Sequence, residues 1–478
     1  MGCDKGGKSS IFQKQRFMQM KSNISRQFVN DLYKLSQENH PDSIEHQAMR
    51  CLLDYIGVTI AGLNDISDKI IKVFDFLGCP EGDAQVIGLQ VKTSKETAAL
   101  LNGMSSHVLE LDDGIRYGMI HLASPIISSL MAFASHDQIT GKSFLNGIIV
   151  GYEAAIRLSY AMQPGHYSRG YHPTSTCGAI GAAAGISAML GFNESQMYDA
   201  ISAASISSGG SLKAIEGGSL LKPFNSGKAA SLGVYCAAVA HAGFSAPDDV
   251  LSGSSGFLYM MSDSLDELIL TGSSGTSYWI SSIYFKPFAA CRHAHPAIEA
   301  VLRIKKKNCF LPSEIKRIDI ETYASVIGKH DHHIVKDVSS AKMSIPFSVA
   351  LAAVVGSATN AAYNDNTLAD DEILRVSRNV HIAGSSELSS LVPDKRSAIV
   401  NVLLCSGVRH EGRVDYPLGE PENPLNDTQL EDKFYSLTDY AGLERRLAKK
   451  VAFAVWDLNN RFEDFLEAIG TINIYDKE

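Results

Sequence analysis

The sequence of 478 residues contains eight cysteines, but no two of them form a C-x-x-C pair. Zinc ribbons and local iron–sulfur sites draw their ligands from such pairs, so these scattered thiols predict neither. No segment approaches the roughly 18 consecutive apolar residues that cross a membrane, and the first residues lack the apolar core of a secretory signal. We therefore expect a cytoplasmic protein with reduced thiols and no membrane partner.

Positive charge is scarce as well. Lys and Arg total 43 against 52 Asp and Glu, which gives a formal net charge of -9 and makes nucleic acid a poor candidate partner. No G-x-G-x-x-G follows a predicted strand, and Gly227-Lys228 lacks the glycine spacing of a phosphate loop. The sequence therefore predicts no nucleotide cofactor, although a few placed lysines are enough to bind a small acid.

The apolar pattern predicts a mainly α fold with four consecutive parts. Residues 1–26 are rich in Lys, Gly and Ser and are predicted to be a flexible leader. Residues 27–280 have mostly helical apolar spacing and several small-residue stretches, which favour closely packed helices. Residues 281–419 are predicted to be an α+β unit, and residues 420–478 return to amphipathic helix. The helical domain is thus expected to be discontinuous in sequence, interrupted by the α+β unit.

Three segments carry the pattern of the α+β unit. Residues 315–323 alternate apolar and polar side chains as a half-buried strand does, and residues 400–404 and 412–416 resemble two more strands. Residues 345–362 between them are apolar and predict a helix.

The first segment with possible chemistry is His107-Val108-Leu109-Glu110-Leu111-Asp112-Asp113-Gly114, followed by His121. Three carboxylates within four positions repel one another, so burial would raise the pKa of at least one or require a cationic partner. Solvated acids at the end of a helix are the alternative interpretation.

Two further segments lie beside predicted helix starts. His172 precedes Pro173 and a run of Thr and Ser, where outward-pointing N–H groups can bind a carboxylate while the imidazole moves a proton. A structural histidine is the plainer alternative. Lys222 precedes Pro223, and a partly buried lysine there can hold a carboxylate or stabilise an enediolate.

The densest cationic cluster lies where the α+β unit begins and consists of Lys286, Arg292, His293 and His295. It suits an anionic substrate held between two domains. Cys291 within it is interpreted as a packed thiol rather than a nucleophile. The polar run Lys329-His330-Asp331-His332-His333 is interpreted as a solvated turn, and no metal site is predicted.

Together these segments resemble the MmgE/PrpD family, which includes 2-methylcitrate dehydratase, cis-aconitate decarboxylase and iminodisuccinate epimerase. The resemblance covers nearly the whole chain after the leader, and the order and spacing of the motifs make it specific. The matching pieces are residues 99–103, 107–113, 147–153, 171–174, 221–223, 285–288 with Cys291 and 295–297, and 341–347.

The resemblance implies a large all-helical domain, closed by the C-terminal helices, with a smaller α+β lid domain inserted in it. It also implies a homodimer with the active site in the cleft between the two domains. Glu110 takes the place of an acidic active-site residue that is often Asp in the family, and the other matching cleft residues are His121, His172, Lys222 and Lys286.

Several positions depart from the family pattern. Gly114 stands where a Thr is expected, and Leu122 stands where a Pro usually follows the histidine. The Trp-containing stretch of the methylcitrate dehydratases is absent, and Tyr323 is out of register with an active-site tyrosine of the decarboxylase. These departures count against assigning either named activity from the sequence.

The residues and the resemblance predict a cofactor-independent lyase, a dehydratase or decarboxylase, that removes a proton next to a carboxylate of a small di- or tricarboxylic acid. We expect catalytic roles for His172, Lys222, His121, Glu110 and Asp113, and substrate contacts from Lys286, Asp112, Arg292 and His295. Which histidine is the base stays open. An epimerase of an amino- or imino-dicarboxylate is the close alternative, and a catalytically inactive dimeric scaffold is the alternative of another class.

Overall fold

A computed structural model describes residues 23–272 and 278–475 of the chain. Residues 1–22 of the predicted leader lie outside the described residues, and the first helix begins at Ile24. The first part of the chain is helical apart from the short hairpin β1 (Ala84–Val86) and β2 (Val91–Thr93). Its helices are α1 (Ile24–Ser36), α2 (Asp42–Phe76), α3 (Lys95–His107), α4 (Ala123–Met131), α5 (Gly141–Ala161), α6 (Gly165–Ser168), α7 (Pro173–Met189), α8 (Glu194–Ser207), α9 (Leu221–His241), α10 (Phe257–Met261) and α11 (Glu267–Leu270).

Glycines let α5 and α7 pack backbone to backbone in the centre of this domain. A Cβ atom placed on Gly185 would lie 2.7 Å from the carbonyl oxygen of Gly147, and one placed on Gly151 would lie 2.8 Å from that of Gly181. The small residues noted in the sequence therefore serve close helix contact, and α7, which starts beside His172, is buried along its whole length.

The inserted unit contains a four-stranded mixed sheet of order β4-β3-β5-β6, in which β3 is parallel to β4 and antiparallel to β5. Residues 315–323 form β3 as predicted, whereas the helix predicted for 345–362 ends at Val355 because Gly356 adopts φ +78° and caps it. The elements are α12 (His295–Asn308), β3 (Ile315–Tyr323), α13 (Val338–Met343), α14 (Ile345–Val355), α15 (Asp365–Leu368), α16 (Asp371–Arg378), β4 (Val380–Ser385), α17 (Ser386–Ser390), β5 (Ala398–Leu404) and β6 (Arg409–Val414).

The chain leaves and re-enters the helical domain at one place. The N–H of Phe285 donates to the carbonyl of Gly419 at 3.1 Å, so the outgoing and returning segments are hydrogen-bonded to each other. Gly419 has φ +93°, and a Cβ there would collide with the Phe285 carbonyl oxygen, which only glycine avoids.

The last helices complete the first domain. They are α18 (Asp427–Tyr440), α19 (Arg445–Trp456) and α20 (Leu458–Gly470). Their buried side chains, such as Phe434 and Phe465, belong to the same apolar core as α1 to α11, while the inserted unit has a second core of its own. The second core reaches the first domain through Leu109 and Leu111, which flank Glu110. Among the described helices, none combines the length and apolarity needed to cross a membrane.

The glycine contact between α5 and α7 yields a stability prediction. Gly185→Ala should lower the free energy of unfolding by about 1–3 kcal/mol, because the new methyl group overpacks the carbonyl of Gly147. Gly470→Ala is the matched control, since a Cβ at this helix end has nothing within 4 Å. Thermal unfolding followed by circular dichroism checks both variants, and an equal melting temperature for Gly185→Ala and wild type would contradict the packing argument.

Candidate active site

The acidic segment turns sharply where α3 ends. Glu110 has φ +58°, a left-handed conformation that is unfavourable for a residue with a Cβ, and the turn directs its side chain toward α9 and the start of the lid. Lys222 of α9 donates to Glu110 Oε1, and Lys286 lies 3.8 Å from Oε2. Burial alone would raise the pKa of Glu110, but the charges of the two lysines outweigh it and lower that pKa.

Asp112 lies deeper and joins the same charge cluster. Its carboxylate accepts hydrogen bonds from His107 Nδ1 at 2.6 Å and Ser124 Oγ at 3.1 Å, and Lys286 Nζ lies 3.7 Å away. Burial opposes its ionisation, yet the neighbouring His107, His121 and Lys286 hold its pKa well below the usual range. Asp112 therefore supports Lys286 and His107 from behind, rather than lining the cavity.

Asp113 caps α4. Its Oδ1 accepts the N–H groups of Leu122 and Ala123 at 3.2 and 3.0 Å, and its Oδ2 accepts the hydroxyl of Tyr152 at 2.6 Å. Burial raises the pKa of Asp113 to about 7. Asp113, which was predicted to be catalytic, thus does not line the cavity. Its carbonyl oxygen accepts a hydrogen bond from the ring of His121 and fixes the position of that ring.

His121 and His172 both line the cavity, and their hydrogen bonds give them opposite tautomers. His121 Nδ1 lies 2.7 Å from the carbonyl oxygen of Asp113, which only accepts, so Nδ1 carries the proton and Nε2 has a free lone pair. Asn225 directs its NH2 group at the carbonyl of Ser211 and at His172 Nδ1, both at 3.4 Å, so in a neutral His172 the proton is on Nε2.

The environment keeps both imidazoles neutral. Burial lowers the pKa of His121 to about 3 despite the opposing charge of Asp112. Burial also lowers the pKa of His172 well below its usual range, helped by His107 and Lys222. A third ring, His107, packs 5.1 Å from His121 and 6.1 Å from His172 between ring centroids. It was noted in the sequence as part of the acidic segment, but no role was predicted for it.

These side chains surround a cavity of about 330 Å³ between the helical domain and the lid. This is the size of a site for a small molecule. Among the described residues that line it, five are cationic and one is a carboxylate, so the cavity is suited to an anion. The ionisable lining residues are Glu110, His121, His172, Lys222, Lys286, Cys291, Arg292, His293, Lys329, His330 and Arg396.

Arg292 and His295 were predicted to contact substrate, and the structure places them in a structural network. Arg292 donates to Glu420 at 2.7 and 3.0 Å and to His295 Nδ1 at 2.8 Å, while His295 Nε2 reaches the Ala290 carbonyl at 3.0 Å. Arg292 borders the cavity with its charge already paired, and His295 holds Arg292 in place.

Arg396 is a charged lining residue that sequence reasoning missed. It follows a polar loop and precedes β5, so nothing in the local pattern distinguishes it from a surface arginine. In the structure it is only 7% exposed and donates to the carbonyl of Arg116 at 3.1 Å.

Two of the departures from the family pattern, Gly114 and Leu122, have local explanations. A Cβ on Gly114 would lie 2.6 Å from the hydroxyl of Tyr284, so the Tyr284 side chain occupies the space that a side chain at position 114 would need. Tyr284 lines the cavity and pairs with Gly114 through two backbone hydrogen bonds. Leu122 supplies an N–H to Asp113, which proline lacks.

Cys291, His293 and His330 form the group most able to hold a metal, since their donor atoms lie within 4.8 Å of one another. His330 belongs to the polar run interpreted as a solvated turn, yet it is buried against Cys291. Burial and the charges of His330, Arg396 and Lys329 hold the pKa of His293 well below its usual range. The charges of Arg396 and Lys329 beside this group favour an anion at the wall.

Comparison with known proteins matches both domains. The MmgE/PrpD N-terminal domain matches residues 26–267, and the MmgE/PrpD C-terminal domain matches residues 288–458. A cis-aconitate decarboxylase of Aspergillus terreus is 23% identical over 95% of this chain and 96% of its own length.

Two other relatives match part of the chain. A cis-aconitate decarboxylase-like protein of Aspergillus oryzae is 27% identical over 59% of this chain, and the match spans 62% of the relative's length. The human cis-aconitate decarboxylase is 24% identical over 63% of this chain and 64% of its own length. With both domain models matched in order along the fold described above, the chain belongs to the MmgE/PrpD family of enzymes.

Proposed function

We propose that this chain is a lyase that acts on a small di- or tricarboxylic acid through an enolate-like intermediate next to a carboxylate. The observation that carries the proposal is the pair His121 and His172, which line one cationic cavity with opposite tautomers. A neutral imidazole with a free Nε2 is ready to accept a proton, and one with a protonated Nε2 is ready to donate one.

The proposed roles follow from these contacts. In a dehydration, His121 Nε2 takes a proton from the carbon beside the carboxylate, and His172 Nε2–H protonates the leaving hydroxyl. In a decarboxylation no carbon-bound proton is removed: CO2 leaves its electron pair on the substrate as an enolate-like carbanion, and His172 Nε2–H protonates that carbanion. Lys222 and Lys286 stabilise the negative charge that develops on the carboxylate oxygens. Glu110 and Asp112 orient the lysines, and Asp113 positions His121. Each proton transfer uses a side chain, so this scheme needs no cofactor.

The substrate class draws support from the relatives, which are named for cis-aconitate. We propose cis-aconitate or an acid of similar size and charge, with decarboxylation favoured over dehydration. Two histidines with opposite tautomers would equally serve an epimerase, in which the substrate is inverted without loss of a group.

Proton NMR in D2O tests the proposed reaction. The purified protein should convert at least one of cis-aconitate, methylcitrate, citramalate and iminodisuccinate. A new alkene signal with release of CO2 identifies a decarboxylase, an alkene from a hydroxy acid identifies a dehydratase, and deuterium incorporation into unchanged substrate identifies an epimerase. If no acid reacts and none raises the melting temperature, the proposal fails and the scaffold interpretation gains support.

Two substitutions test the assignment of the histidines. His172→Gln should lower kcat by about 10²–10⁴-fold for either reaction, and His121→Gln should do so for a dehydration, because each substitution removes one proton transfer. For a dehydration, exchange of the substrate's carbon-bound hydrogen with D2O should persist in His172→Gln and disappear in His121→Gln. The exposed His241, at the far end of α9, supplies the control His241→Gln, which should keep full activity.

The pH profile gives a further check on His121. Because burial lowers its pKa to about 3, wild-type kcat should not fall with a midpoint near the ordinary histidine value of 6.5. An exchange pattern opposite to the one above, or an acid limb centred near 6.5, would contradict the assignment.

A homodimer is also proposed, and a cytoplasmic location stays a prediction from the sequence. The outer face of α9 carries exposed apolar side chains spaced by whole helical turns, namely Leu221, Phe224, Tyr235 and Val239. We propose this face as the contact between subunits. Tyr235→Glu should produce monomers in analytical ultracentrifugation, whereas Tyr235→Phe should not, and an unchanged dimer in Tyr235→Glu would exclude this face.

A further inference from the structure

Arg396 differs from the other buried arginines near the cavity. Arg116 pairs with Glu420 and Glu422, and Arg292 pairs with Glu420. Arg396 is 7% exposed and hydrogen-bonds a carbonyl oxygen, but among residues 23–272 and 278–475 it has no carboxylate within ion-pair distance. It is therefore a buried cation whose charge no described side chain neutralises.

The neighbouring carboxylates are already engaged. Glu420 pairs with Arg116 and Arg292, while Glu110 pairs with Lys222 of α9 and with Lys286 at the start of the lid. Burying an unpaired charge is expensive, so this arrangement is favourable when an anion occupies the cavity beside Arg396. A planar guanidinium is well matched to a carboxylate, which it can bind through two parallel hydrogen bonds.

The wall around Arg396 presents other groups that suit an anion. Tyr284 lines the same cavity and offers a hydroxyl donor, and Lys329 lies at its exposed rim. His293, on the same wall, experiences the positive charges of Arg396 and Lys329.

We infer that Arg396 forms a second anion-binding subsite on the lid side of the cavity and takes a carboxylate of the substrate that the two lysines do not hold. The inference rests on the proposed function and narrows it. The substrate carries at least two carboxylates, one held by Lys222 and Lys286 and one by Arg396, and a monocarboxylic acid is a poor substrate because it leaves Arg396 unpaired.

Binding of glutarate and of its half-amide tests this subsite, because the two molecules have the same length and differ by one charge. Isothermal titration calorimetry should show that wild type binds glutarate about 10–100-fold more tightly than the half-amide. In Arg396→Gln the two affinities should agree within about threefold, since the glutamine amide does not distinguish a carboxylate from an amide by charge. Lys336→Gln is the control, because Lys336 is an exposed lysine of the lid that does not line the cavity, and it should keep the wild-type preference.

Thermal unfolding without ligand separates binding from structure. Arg396→Gln should melt at the wild-type temperature or above it, because the substitution removes an unpaired buried charge. Arg116→Gln should melt lower, because it leaves Glu420 and Glu422 without one of their partners.

Each outcome decides the inference. Equal loss of affinity for both ligands in Arg396→Gln, a marked drop of its melting temperature, or no binding of glutarate to wild type would overturn the subsite. Because these measurements need no turnover, they are independent of the NMR panel. If the charge preference depends on Arg396 but no acid is converted, the subsite stands and the proposed reaction falls.

Discussion

Two lysines and two carboxylates share one buried cluster, and the rest of the cavity depends on it. Lys222 and Lys286 are balanced by Glu110 and Asp112, so four charges are removed from water without a net charge. Removing one partner from such a cluster leaves an uncompensated charge and typically costs about 3–5 kcal/mol. The cluster draws its members from three separate segments, so it forms only when the helical domain and the start of the lid are both folded.

A second hydrogen-bond network, centred on Glu420, joins the helical domain to the start of the lid. Glu420 accepts hydrogen bonds from Arg116 of the helical domain and from Arg292 at the start of the lid. Within the helical domain, Lys433 of α18 pairs with Asp54 of α2 at 2.6 Å and donates to the carbonyl of Leu111 at 2.8 Å. The returning C-terminal helices thus fix the backbone between Glu110 and Asp112.

Sequence patterns predict those features whose cause is local. The alternation of residues 315–323 gives β3, and the glycines of α5 and α7 indicate close helix packing. Strand β4 was not predicted, because most of its side chains are exposed or half-buried and no clear alternation marks it. The helix after Ile345 stops early at Gly356, a single residue whose left-handed conformation the apolar pattern does not reveal.

The same limit applies within the site. One cavity is lined by His121, His172, Lys222 and Lys286, the cleft residues that the resemblance named. The nitrogen that carries the proton in each ring depends on a hydrogen-bond partner, which is either a side chain distant in sequence or a backbone carbonyl. Asp113 and His295 are residue types that are common in active sites, but here they make supporting contacts. Arg396 belongs to the site, although no sequence motif marks it.

The hydrogen bond between Phe285 and Gly419 has an architectural consequence. Because the lid departs and returns at adjacent points, the helical domain is nearly continuous without it, and the lid is a cassette with both ends at one seam. Insertions, deletions or wholesale exchange of this cassette leave the two histidines and Lys222 in place while replacing the wall that contains Arg396. Under the proposed roles, the wall that selects the substrate can therefore diverge while the two histidines stay unchanged.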